Sequence, residues 1–377
     1  MIDNNIENND FISIQEAYYI EWEYEKLGII LERLDKHDKI WGISIKSADL
    51  RGHILHRRND WYDAYKSLSS ALEIFPDSVD ICYWAALNAI DAGSYESASG
   101  LLDRLGDRLS SIPERYLRGI WRAAGVVGNI QLASAAFSQA KAQGSELALD
   151  AVGLRIESAL AAQSINLCPI ISVGENCQPW MLPNRWGLRR PSDIGPQSSM
   201  FNLGQSNCYG VAKILRSLGE NFVSPEYLSV KEYPQRAPCP TNDTFHYEFN
   251  HELGKYWLEN NYENLISRYK SRISNFHKFI AGQQRVFFFY SDRDGDINSV
   301  VDAIIEINQD DNYSIVIIDL FDGERPSRLR HHDRVSYARL RFPDKDYVWW
   351  RPDHHDSDAG VYFERSIRNQ LIDAARI

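Results

Sequence analysis

Pro169-Ile-Ile-Ser-Val-Gly-Glu-Asn-Cys177 is the stretch on which the reading of this chain turns. Ile170–Val173 reads as a short buried strand, Gly174 turns the chain, and Cys177 stands immediately before a short helical segment, Gln178–Leu182. Pro179 suits a first helical turn, and Pro183 ends or kinks the segment. Strand, turn and helix in this order are the grammar of an α/β sheet. A thiol at a helix N-terminus meets the positive end of the helix dipole, which favours its thiolate, modestly for so short a helix. Cys177 is therefore the candidate nucleophile. The competing reading is a buried thiol acting as a small apolar side chain.

Downstream, the same grammar continues. Cys208–Leu218 reads as a helix, and Tyr262–Ala281 as an amphipathic one carrying Leu265, Ile266, Tyr269, Ile273, Phe276 and Ile280. Arg285–Tyr290 (RVFFFY) and Ser314–Leu320 (SIVIIDL) read as buried strands, with a helix at Ile297–Ile307 between them. A further strand at Arg334–Leu340 and a final helix at Gly360–Ala375 close the chain. Continuous apolar strands separated by helices predict a mostly parallel sheet with helices on both faces. In such sheets ligands bind beyond the carboxyl ends of the strands, where Cys177 lies. Residues 223–261, rich in Pro, Asn and aromatics, read as a long irregular segment of the kind that carries a binding site.

Upstream, from about Asp10 to Ser164, the chain reads as helix after helix. Ala64, Leu68, Ala71 and Pro76 follow Gly52 and Trp61; 34 residues after Trp61 come Tyr95, Ala98 and Leu102, and 35 later Ile130, Ala133, Phe137 and Ala140. Each phrase opens on a turn signal and continues with small residues at close-packing positions. The pattern resembles three tetratricopeptide (TPR-like) repeats, the second and third degenerate, with segments 13–35 and 145–163 as flanking or capping helices. The expected organisation is a helical repeat domain over 1–165 and an α/β domain over 166–377. The resemblance implies a concave surface for a protein or peptide partner; a helical platform that only supports the second domain is the plainer alternative. The cluster Tyr18, Tyr19, Trp22 and Tyr24 reads as core.

A length of 377 residues, 44% hydrophobic and 25% charged, fits two folded domains. The net charge of −11 disfavours nonspecific binding to nucleic acid or anionic membrane. The polar, acidic start MIDNNIENND is unlike a signal peptide, and no apolar run approaches a membrane span. The five cysteines, Cys82, Cys168, Cys177, Cys208 and Cys239, include no CxxC pair, so a reducing cytoplasm is expected. There is no P-loop and no GxGxxG after a strand, so no nucleotide cofactor is expected. Asp292-Arg-Asp-Gly-Asp296 starts like a calcium loop but has no glutamate at its twelfth position, and reads as a capped turn.

A cysteine nucleophile needs a base, usually histidine, and often a group that orients it. His277 reads as a surface or satisfied core residue, and His331 and His332, after the basic loop Arg325–Arg330, as solvent-facing. Two neighbourhoods stand out: Phe245-His246-Tyr-Glu-Phe-Asn-His251, and Arg351-Pro-Asp353-His354-His355-Asp356-Ser-Asp358. The second matches no standard zinc spacing, so no metal site is expected, and its Asp356, Ser357 or Asp358 could simply cap the last helix.

Ser172-Val-Gly-Glu-Asn-Cys-Gln, Trp186-Gly-Leu, Ser199-Met-Phe201-Asn202, Phe245-His246 and Arg268-Tyr-Lys-Ser-Arg272-Ile-Ser-Asn-Phe276 together resemble an uncharacterised bacterial family labelled as papain-like cysteine peptidases, over about residues 169–320. The resemblance implies Cys177 as nucleophile and His246 as base. The family's Pro-Phe-Asp-Trp is replaced here by Met200-Phe201-Asn202-Leu203, so any orienting role falls to Asn202, which cannot stabilise an imidazolium by charge. The predicted fold is closer to SGNH (GDSL-like) hydrolases, whose nucleophile follows the first strand of a parallel sheet. On that resemblance Cys177 or Ser172 is the nucleophile, His355 the base and Asp353 its orienter, although Asp353 is two residues before His355 rather than three. The functional expectation is a cysteine-dependent hydrolase or acyltransferase with a partner- or substrate-binding helical module. The alternatives are an SGNH-like esterase acting on an acylated substrate such as a glycan ester, and a noncatalytic adaptor.

Overall fold

A computed structural model describes residues 2–146, 149–282, 284–308, 310–321, 329 and 332–377, with side chains from residue 10 onward. The expected basic loop, other than Leu329, and His331 lie outside the described residues.

The N-terminal region is a run of helices: α1 (Ile2–Ile20), α2 (Tyr24–Trp41), α3 (Ile45–Arg57), α4 (Trp61–Ile74), α5 (Val79–Asp91), α6 (Tyr95–Gly106), α7 (Glu114–Val126), α8 (Ile130–Ala142) and α9 (Asp150–Ala162). The repeated sequence phrases fall on the second helices of three successive pairs, which begin at Trp61, Tyr95 and Ile130. Side-chain caps mark the starts of α3, α5 and α8. Ser44 and Ser47 form a reciprocal capping box on α3, and Asn129 accepts the Leu132 N–H at 3.1 Å on α8. Gly52 lets α3 lie close on α4, where a Cβ would come within 2.6 Å of Leu68 Cδ2. The flanking segment expected over 13–35 spans parts of two helices, α1 and α2, and between them the Glu21 carboxylate accepts the N–H groups of Trp22 and Glu23.

The α/β region begins with β1 (Ile170–Gly174), followed by α10 (Gln178–Arg185), α11 (Pro191–Ile194) and α12 (Cys208–Arg216). A three-stranded antiparallel sheet then forms from β2 (Leu228–Tyr233), β3 (Arg236–Asn242) and β4 (Tyr247–Glu248), in the order β2-β3-β4. This corrects the irregular segment expected at 223–261. Pro234, Pro238 and Pro240 mask the strand pattern, and β2 shows no buried face. The chain continues through α13 (Lys255–Ile280), β5 (Arg285–Ser291), α14 (Ile297–Ile307), β6 (Tyr313–Asp319), β7 (Val335–Arg339), α15 (Pro352–His355) and α16 (Asp358–Ala375). Helix α13 is interrupted by positive φ at Asn260, Asn261 and Tyr262, so its regular part starts where the apolar periodicity starts.

The main sheet is four-stranded and parallel, ordered β1-β5-β6-β7. Ile171, Val173, Phe287, Phe289, Ile315 and Ile317 pack with α12 and α14 on one face. Ile170, Val286, Phe288, Tyr290, Val316 and Ile318 pack with α10 and α16 on the other. Both faces are covered, which is why the strands read as unbroken apolar runs. The two regions share a core: Trp180, Ile194 and Leu203 of the α/β region are buried among Leu101, Leu102, Trp121 and Ala124 of the helical one. No helix among the described residues is long and apolar enough to cross a membrane.

Candidate active site

Cys177 occupies the turn between β1 and α10. The turn is tight because Gly174 lies against the ring of Pro179, where a Cβ would meet Pro179 Cγ at 2.5 Å. Asn176 locks it: its Oδ1 accepts the Gln178 N–H at 2.9 Å and its Nδ2 donates to Asp292 Oδ2 at 3.2 Å. Ser206 N–H donates to the Glu175 carbonyl from the far side. The thiol is thereby held on a rigid edge at the carboxyl end of the sheet, with only 5% of the residue exposed.

His251 is the histidine beside it. Its Nε2 lies 3.3 Å from Cys177 Sγ, and its Nδ1 lies 2.8 Å from the backbone carbonyl oxygen of Asp91. A carbonyl only accepts, so Nδ1 carries a proton and Nε2 is the nitrogen that exchanges a proton with sulfur. Burial alone lowers the His251 pKa. The adjacent Cys177 sulfur and the bond to Asp91 outweigh it and raise the value to about 9. The imidazolium is thus the favoured form at neutral pH. Burial instead pushes the thiols of Cys82 and Cys168 up, and that of Cys239 to about 12. None of the five cysteines is joined in a disulfide.

His251 is held from both regions. Its neighbour Glu252, fully buried, accepts from Arg268 (3.1 Å), Arg272 (3.0 Å) and the Tyr269 hydroxyl (3.1 Å). Arg268 also donates to the Ala92 carbonyl at 2.6 Å. The α5–α6 turn, Asp91 to Ser94, is therefore bonded to the α/β region at two successive carbonyls, one of which orients His251. Trp61 closes the outer side, its ring 5.7 Å from that of His251. One residue beyond Cys177, the fully buried Gln178 keeps its Nε2 donor without a partner.

The other expected residues are elsewhere. His246 is exposed in a left-handed conformation (φ 49°), edge-on to Tyr209 at 5.2 Å; it lines a separate cleft of about 690 Å³ with Lys231, Asp243 and Arg293. Asn202 is buried and bonded to Ser199 and Ser198, not to a histidine. His355 is buried with its Nδ1 3.0 Å from Asp356 Oδ1, and burial together with Arg185 lowers its pKa to about 4. Asp353 is exposed and pairs with Arg351. Ser172 donates to the Pro179 carbonyl at 2.6 Å and accepts from Arg189 at 2.6 Å, so its hydroxyl is committed to structure.

Among the described residues no group of three or more His, Cys, Asp or Glu side chains is arranged to hold a metal ion. Sequence reasoning singled out the segment that holds His251 but put His246, five residues earlier, beside Cys177. Nothing local separates the two, because the carbonyl that selects His251 lies 160 residues away. Comparison with protein-family profiles, curated proteins and solved structures finds no match.

Proposed function

We propose that the chain is a cysteine-dependent hydrolase or acyltransferase in which Cys177 is the nucleophile and His251 the proton carrier. The observation that carries this is the relay Cys177 Sγ, His251 Nε2, His251 Nδ1, Asp91 carbonyl, with contacts of 3.3 and 2.8 Å. In the acylation step the thiolate attacks a carbonyl carbon, the new C–S bond forms, and the bond to the leaving group breaks. The leaving group takes the Nε2 proton. In the second step Nε2 removes a proton from water or an acceptor hydroxyl, whose oxygen attacks the thioester and releases Cys177.

The tetratricopeptide-like reading rests on three helix pairs in phase with the sequence repeat, and the helical module would bind a partner or substrate while bracing the base. The papain-like label is supported by the Cys–His pairing. The parallel sheet is the SGNH-like feature, although His355 belongs to a separate buried cluster. Five cysteines outside any disulfide favour a reducing compartment. A noncatalytic adaptor is favoured by one observation, the 5% exposure of Cys177.

Iodoacetamide labelling with peptide mapping tests the proposal. At pH 6.5 Cys177 reacts first, and in His251→Ala its rate falls by about tenfold or more, towards that of a thiol with no histidine partner. Labelling indifferent to His251 removes the enzymatic reading and leaves the adaptor.

A further inference from the structure

A cleft of about 770 Å³ opens between the α1–α2 turn, α3, the start of α4, α5 and the β2–β3 turn. It adjoins the relay twice: Trp61 lines it and lies tilted against His251, and Asp91, whose carbonyl holds His251, lines it too. Its wall is a continuous series of rings. Arg57 is sandwiched between Tyr18 (3.9 Å) and Trp22 (4.2 Å), Tyr18 is 6.4 Å from His53, and Trp84 is edge-on to His53 (4.3 Å) and His56 (5.5 Å). The sequence reading of Tyr18, Tyr19, Trp22 and Tyr24 as core holds for Tyr18; Tyr24 is half-buried, and Tyr19 and Trp22 are 63% and 65% exposed.

The cleft has little net charge to offer. Arg57 donates to the carbonyls of Tyr18 and Glu21 and is covered by two rings. Burial lowers the His53 pKa to about 4, so that ring is neutral at neutral pH. The one acid, Asp91, lies 3.9 Å from His56. The cation of this lining, Arg57, is tied through Nη1 to those two carbonyls and its guanidinium lies against two rings, so little of it is offered to a phosphate or carboxylate. The remaining polar edge consists of the Asn59 and Gln235 carboxamides, which bond to no other described residue, and the Asp91 carboxylate. Flat apolar faces bordered by amide and carboxylate groups, with little charge to spare, suit a ligand with apolar C–H faces and a rim of neutral hydroxyls.

We infer that this cleft is a saccharide subsite and that the substrate of the Cys177–His251 pair is a neutral glycan carrying an O-acyl group. The inference rests on the proposed dyad for its chemistry, but the subsite stands on its own geometry. The acyl carbon passes from the sugar oxygen to Cys177 Sγ, the sugar oxygen leaves with the proton from His251, and water then releases the carboxylic acid.

Isothermal titration calorimetry of the full chain with cellotetraose, maltotetraose and the N-acetylglucosamine tetramer, with choline as the control cation, tests it. At least one tetrasaccharide saturates the protein. Trp84→Ala and Trp22→Ala each weaken that binding by about tenfold, while Trp84→Phe, which keeps an aromatic face, largely retains it. Trp22 is exposed, so its variant does not depend on the core, and its Cys177 labelling rate stays at the parental value. No binding by any of the three sugars, binding indifferent to both alanine variants, or binding of choline alone overturns the subsite. Sugar binding with a Cys177 that labels independently of His251 upholds the subsite and sinks the dyad.

Discussion

At Cys177 the decisive quantity is where one proton resides. His251 is raised to about 9 chiefly because the Cys177 sulfur and the Asp91 carbonyl outweigh the effect of burial. A histidine raised above its unfolded value of about 6.5 stabilises the fold fully below that pH and loses the contribution as pH rises through about 9. On the proposed mechanism, the same titration removes the proton that the leaving group needs. Values of kcat/KM for an acyl ester are therefore expected to fall above about pH 9, whereas iodoacetamide alkylation, whose iodide leaves without a proton, does not fall there. Parallel pH profiles for the two reactions check this; a shared alkaline decline would assign the limb to unfolding instead. The place of Cys177 between strand and helix was legible from sequence because strand, glycine turn and helix are local. Its pairing with His251 was not, since the orientation of His251 depends on a carbonyl in another region.

At the scale of elements, the turn between α5 and α6 carries the most information per residue. Gly93 has φ 65°, and a Cβ there would stand 2.4 Å from Leu203 Cδ1 and 3.2 Å from Arg272 Nη2. Gly93→Ala combines a left-handed backbone penalty of about 1–2 kcal/mol with that clash. Relief requires the turn to withdraw from the α/β region, which moves the Asp91 carbonyl off His251. The expected result is a modest loss of thermal stability with a disproportionate loss of Cys177 labelling at pH 6.5. A loss of stability with an unchanged labelling rate would show that the carbonyl does not position the base. The parallel strands and the helices on either side were readable because burial on both faces leaves unbroken apolar runs such as RVFFFY and SIVIIDL. The β2-β3-β4 sheet was hidden because its prolines and its partly exposed first strand suppress the alternation that marks a strand.

Across the whole molecule, the two regions are held together by buried charge as well as by shared apolar core. Asp356 accepts from Arg122 of α7 at 2.6 Å and from Arg155 of α9 at 2.8 Å, and it contacts His355 at 3.0 Å. Burial alone would raise the Asp356 pKa, but Arg155, His355 and Arg122 hold it well below the ordinary carboxylate range. A carboxylate depressed in this way contributes stability above its unfolded pKa and loses it as pH falls towards the folded value. His355, lowered to about 4 by burial and Arg185, acts earlier on the same descent. Between about pH 6.5 and 4 the unfolded chain takes its proton and the folded chain does not, so stability falls through that window. Acid is therefore expected to weaken the seam between the regions in two stages, first His355 and then Asp356. Asp356→Ala leaves two arginines without their acid and is expected to cost about 3–5 kcal/mol, flattening the lower stage. Because Trp180, Ile194 and Leu203 lie inside the helical core, the parent protein is expected to unfold in one transition at neutral pH. Urea denaturation at pH 7, 5 and 3.5, followed by tryptophan fluorescence and by Cys177 labelling, checks this. Two separate transitions at pH 7 would show that the helical region is a detachable platform rather than part of the active-site frame.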